Sequence, residues 1–193
     1  MITSIEPKAG SWILLVGPRS LNSTMLTAIA RLGERCSLRV LDGGNRFNAY
    51  TVARAARGRQ EVLNRITVSR AFTCYQVLSL LESTPSTKAP FVVLDMLHTF
   101  YDESVQVGER KRLLRSCLAH LERLVVPSTP RGAEAADGGL RPPRLVAGGV
   151  VSVHPPAVPS QAAIELLSLL QASAVDTFFA QPAAPAPEPM RLF

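Results

Sequence analysis

The stretch Gly17-Pro-Arg-Ser-Leu-Asn-Ser-Thr24 has the spacing of a phosphate-binding loop, written GxxxxGK[ST]. In such a loop backbone N–H groups cradle phosphates, a lysine neutralises them, and the closing hydroxyl meets a magnesium ion. Gly17 and Thr24 stand at the required separation, but Asn22 replaces the second glycine and Ser23 the lysine. Asparagine tolerates positive φ, so the loop can survive at position 22. Serine supplies no charge at position 23. Further along, Phe91-Val-Val-Leu94 is an apolar run closed by Asp95, an acid able to hold magnesium through water.

Other candidate groups are thinner. His98 lies close to Asp95 and could act as a base, although a hydrogen-bonded loop histidine is the plainer reading. Asp102 and Glu103 are adjacent, and adjacent side chains diverge, so they read as a solvated turn. Cys117 and His120 fall one helical turn apart, yet no second pair accompanies them for a metal, and both suit an amphipathic helix. His154, before Pro155-Pro156, has no identifiable partner in the sequence. No GxSxG, HExxH or GxGxxG pattern occurs, which disfavours common hydrolases, zinc proteases and dinucleotide dehydrogenases.

The elements around these residues alternate. Trp12–Val16, Leu38–Leu41, Arg65–Ser69, Phe91–Leu94 and Arg144–Val153 read as five strands, the last bent at Gly148-Gly149. Helices are expected over 23–34, 48–59, from a Thr73 cap through Leu81, over 109–125, and from a Ser160 cap through Leu170. Strand–helix alternation predicts a three-layer α/β/α domain over residues 1–180 around a mainly parallel five-stranded sheet. Residues 127–143 read as a flexible insertion and 181–193 as a disordered proline-alanine tail. Ligands of such folds bind where strands end, which is where Gly17 and Asp95 stand.

The chain has 193 residues, enough for one well-buried core. Its apolar runs are strand-sized rather than the roughly 20 residues of a membrane helix, and no secretory signal is visible, so a cytoplasmic protein without membrane contact is expected. Three cysteines exclude a complete disulfide framework. The formal charge is +6. Between residues 31 and 70 nine arginines face three acids (Glu34, Asp42 and Glu61), so the whole excess falls within that block. Arg46, Arg54, Arg57, Arg59 and Arg65 are its candidate contacts to phosphate-rich nucleic acid.

Asp42-Gly-Gly-Asn-Arg-Phe47, Ser69-Arg-Ala-Phe-Thr-Cys-Tyr-Gln76 and Val92-Val-Leu-Asp95 with Phe100-Tyr101 resemble the RecA-type recombinases, most closely their archaeal and eukaryotic paralogues. The resemblance covers about residues 11 to 125, and Arg70-Ala-Phe-Thr73 is its most specific piece. It implies a RecA-like P-loop core that binds ATP and magnesium, binds DNA and assembles with RecA-like partners in recombination and repair. Gly17, Asn22, Ser23 and Thr24 would then form the phosphate loop, with Thr24 and Asp95 on magnesium. The family's water-activating acid falls at Gly44. Losing the lysine weakens compensation of phosphate charge, and losing the acid leaves water unoriented. Arg19 and Arg46 are candidate substitutes for the lysine, but spacing does not show that either points inward.

The sequence thus leads to a RecA-like, non-hydrolysing accessory protein that binds DNA, a partner ATPase or both. Two alternatives stay open: a nucleotide-independent structural or regulatory subunit, docking through an edge strand, an exposed helix or the terminal Met190-Arg-Leu-Phe193, and an active DNA-dependent ATPase with an atypical loop. Pro127–Pro143, with Arg131, Arg141 and Arg144 as phosphate contacts, is a candidate DNA-binding loop or else a spacer.

Overall fold

The computed structural model describes residues 9–126 and 147–180. The chain alternates β1 (Trp12–Val16), α1 (Leu21–Arg35), β2 (Leu38–Asp42), α2 (Ala49–Ala55), α3 (Gln60–Asn64), β3 (Ile66–Arg70), α4 (Cys74–Ser83), β4 (Phe91–Leu94), α5 (Val107–Val125), β5 (Gly149–Val153), α6 (Gln161–Ser173) and β6 (Asp176–Phe179). The strands form one sheet in the order β3-β2-β4-β5-β1-β6, and every pairing is parallel.

The sheet has six strands where five were expected. β6 lies beside β1, pairing Ile13 with Asp176 and Val16 with Phe179. Only four residues long and half exposed on an edge, it lacks the continuous apolar run that marks the central strands. The proposed tail and insertion lie outside the described residues, as does the start of the long strand expected from Arg144; β5 begins at Gly149.

Alternation along the buried strands sorts side chains onto two faces. Trp12, Leu14 and Val16 join Phe91, Val93, Val151 and Val153 in a core with α4, α5 and α6. Ile13 and Leu15 join Val40, Val92, Leu94 and Val150 in a second core with α1, α2 and α3. That is the three-layer α/β architecture. Gly149 is needed where β5 faces Phe91: a Cβ there would meet the ring at 2.2 Å.

Local chemistry explains several boundaries. Thr73 caps α4 by accepting from the Gln76 N–H, while the Gln76 side chain accepts from Phe72 N–H, a reciprocal arrangement that stops the chain from continuing β3. At the other end of α4, Arg123 of α5 donates to the carbonyls of Leu81, Glu82 and Thr84 and to Ser86 Oγ, satisfying the orphaned end of the helix. The helix expected over 48–59 stops early, as α2 at Ala55, because Arg57 and Gly58 take positive φ (54° and 72°), and a further short helix that was not expected, α3, begins at Gln60.

Candidate functional site

The carboxyl ends of the strands form a crevice of about 810 Å³, walled by Arg19 after β1, Arg46 after β2, Phe72 after β3, His98 and Tyr101 after β4, and His154 after β5. β1 and β4 both pair with β5, so the Gly17 turn and Asp95 face each other across one strand. His154 joins them. Its backbone N–H donates to Asp95 Oδ1 at 3.1 Å, and its ring Nδ1 lies 3.1 Å from the Gly17 carbonyl. A carbonyl only accepts, so Nδ1 carries the proton. His154 thus has two partners that the sequence did not disclose; the signal was its place just after a strand between the other two turns.

The phosphate-loop positions are occupied in a different way from a cradle. α1 already begins at Leu21, and the N–H groups of Leu21 and Asn22 donate to the carbonyls of Pro18 and Arg19. The Gly17 N–H donates to Val153 O. Asn22 Nδ2 donates to Arg46 O at 3.0 Å, tying the helix to the loop after β2, and Ser23 Oγ donates back to Ser20 O. Thr24 is exposed on the first turn of α1.

Asp95 is 1% exposed and sits at φ 49°, a left-handed conformation that aspartate bears better than most residues. Its Oδ2 receives the Arg46 Nε–H at 2.9 Å and lies 3.9 Å from His98 Nδ1. Arg46 is held there by its own loop: Asp42, fully buried, accepts the N–H groups of Arg46 and Phe47 and pairs with Arg70 at 3.3 Å. Arg70 also donates to Phe47 O. The second-strand aspartate therefore builds a loop, and that loop delivers a guanidinium to the acid after β4.

Gly44 sits against the same carboxylate. A Cβ at 44 would lie 2.6 Å from Asp95 Cβ and 2.8 Å from Oδ2. No acid fits at this position while Asp95 keeps its place. Nor do these donors suit magnesium: each Asp95 oxygen already accepts a hydrogen bond, from Arg46 and from the His154 N–H, and the cationic charge beside it is the protein's own. Beside it, burial first and the Asp95 charge second push the Tyr101 phenol up, so it stays protonated.

The remaining candidates separate. Among the described residues no group of three or more His, Cys, Asp or Glu is placed to hold a metal. Burial raises the Cys117 thiol to about 12, and His120 Nδ1 accepts from Arg123, so that pair serves packing. Asp102 accepts from the Ser104 N–H, the largest cause of its lowered pKa, and is a turn residue.

The arginines of the basic block do not form one surface. Arg46 is in the crevice, and Arg65 donates to Glu34 O. Arg54, Arg57 and Arg59 instead line a second cleft, about 830 Å³, with Thr27, Arg31 and Glu34 of α1. Arg31 joins them only because α1 and α2 pack side by side, a proximity that spacing along the chain does not reveal.

A scan against protein-family models finds no match, and no curated protein matches the sequence. Among the described residues no helix is long and apolar enough to cross a membrane. The molecule is an α/β protein with a parallel sheet between two helical layers, a crevice at the strand ends and a basic cleft beside α1.

Proposed function

We propose that this chain is a RecA-like accessory protein of DNA recombination or repair that binds nucleic acid without hydrolysing nucleotide. The observation that carries the non-hydrolysing part is the Arg46–Asp95 ion pair together with the closed space at Gly44. Hydrolysis by this kind of centre needs a metal on the acid after β4 and a base to orient water. Here a guanidinium takes the first place and the second has no room. The recombinase-like segments between residues 11 and 125 support the biological setting, and cleft arginines without a partner among the described residues (Arg31, Arg54 and Arg57) support a phosphate-rich partner.

The test is phosphate release by the purified chain, alone and with single-stranded DNA. The proposal expects no turnover above background. Release that Asp95→Asn abolishes would establish the atypical ATPase instead.

A second reading, a structural or regulatory subunit bound to a RecA-like partner ATPase, is favoured by β6. It is an edge strand, pairing only with β1 among the described residues, and it leaves Phe178 and Phe179 46% and 64% exposed. DNA affinity that falls steeply with salt separates the first reading from a pure scaffold.

A further inference from the structure

The turn between α2 and α3 is built in an uncommon way. Gly58 N–H donates to Ala53 O at 2.9 Å and Arg57 N–H to Arg54 O at 3.1 Å, the paired bonds of a Schellman helix end with Ala56 as its cap. The left-handed position of that motif is normally glycine, because a Cβ is penalised there. In this chain it is Arg57, at φ 54°, with the glycine one residue later at φ 72°.

The strained residue faces the second cleft. Arg31 on α1, Arg54 on α2 and Arg57 in the turn are all exposed there, and none has an ion-pair or hydrogen-bond partner for its guanidinium among the described residues. The cleft holds four guanidinium groups against one carboxylate, and that carboxylate, Glu34, is taken by Arg59. Left-handed strain at a bulky residue, aimed at unpaired like charges, opposes folding twice over. The second of these, the charge repulsion, is relieved by a polyanion.

We propose that the cleft between α1 and the α2–α3 turn is a phosphodiester clamp, in which Arg31, Arg54 and Arg57 hold successive phosphates of a nucleic-acid strand. Arg59, fixed by Glu34, forms its rigid wall. This rests on the nucleic-acid reading above and locates it: the contacts come from α1 and the helix break, whereas Arg46 and Arg65 belong to the fold. Guanidinium groups on three elements suit a backbone that presents charges at regular intervals, and contacts to phosphate carry no sequence preference.

The experiment is fluorescence anisotropy of a labelled single-stranded oligonucleotide with the full chain across a salt series, paired with thermal unfolding. Arg31→Ala/Arg54→Ala/Arg57→Gly in combination is expected to weaken binding at least tenfold at low salt, and to flatten the log–log salt slope by about two. Arg57→Gly alone is expected to weaken binding about threefold with a Tm no lower than the parent, because glycine suits the left-handed position. Arg115→Ala, on α5 across the sheet, should stay within about twofold. A triple variant that binds like the parent overturns the clamp and leaves nucleic-acid binding standing. A parent chain that does not bind the oligonucleotide at low salt overturns both. A lowered Tm for Arg57→Gly assigns the residue to structure and overturns the clamp as well.

Discussion

The crevice at the strand ends and the cleft beside α1 have nearly equal volumes, and both are lined with arginine, but they use it in opposite ways. In the crevice Arg46 is committed: its loop is pinned by Asp42 and Asn22, and its side chain neutralises a buried carboxylate. In the cleft Arg31, Arg54 and Arg57 stand exposed and, among the described residues, unmatched. A buried ion pair costs much when one partner is removed, because the other is left charged out of water. An exposed guanidinium costs the fold almost nothing to lose. The same residue type therefore serves stability in one place and is available for binding in the other.

Substitutions can break that contrast. The largest effect is expected at Gly44→Glu, which returns an acid to the crevice. The clash with Asp95 should cost about 3 kcal/mol or more in urea unfolding, with no phosphate release gained. Next, Arg46→Ala strands Asp95 in the protein interior and should cost about 2–3 kcal/mol by the same measurement. Arg54→Ala should shift stability by no more than about 0.5 kcal/mol while weakening oligonucleotide binding. If Arg46→Ala and Arg54→Ala prove equally mild, the division between the two sites is wrong. The smallest effect is that of metal: millimolar magnesium should move the Tm by less than about 1 °C, since only a ligand that prefers the native state raises it.

Much of the frame was legible because buried parallel strands leave strong marks. Trp12–Val16 and Phe91–Leu94 are continuous apolar runs, and each ends in a turn residue, so a shared crevice for Gly17 and Asp95 follows from alternation alone. β6 was not legible: four residues on an edge, followed directly by a proline-alanine stretch, carry no burial signal. The break at Arg57 was hidden as well, since Gly58 was the only breaker and the left-handed residue before it is an arginine.

The site was half legible. Missing chemistry could be read position by position, as at Ser23 and Gly44, because a lost charge or lost acid is visible in the residue itself. What replaced it could not. Whether Arg46 turned inward depended on Asp42 folding the loop back, and His154 found its partners only when β5 inserted between β1 and β4. Long-range placement of polar groups is a property of the packed sheet, and local spacing does not encode it.

The most direct test is a calorimetric titration of the purified chain with Mg-ATP at low salt, with Asp95→Asn as comparator. With Arg46 seated on Asp95 and the Leu21 and Asn22 N–H groups already bonded, the crevice should take up no nucleotide, so the parent and Asp95→Asn should give the same heats. Saturable binding by the parent that vanishes in Asp95→Asn would contradict the account.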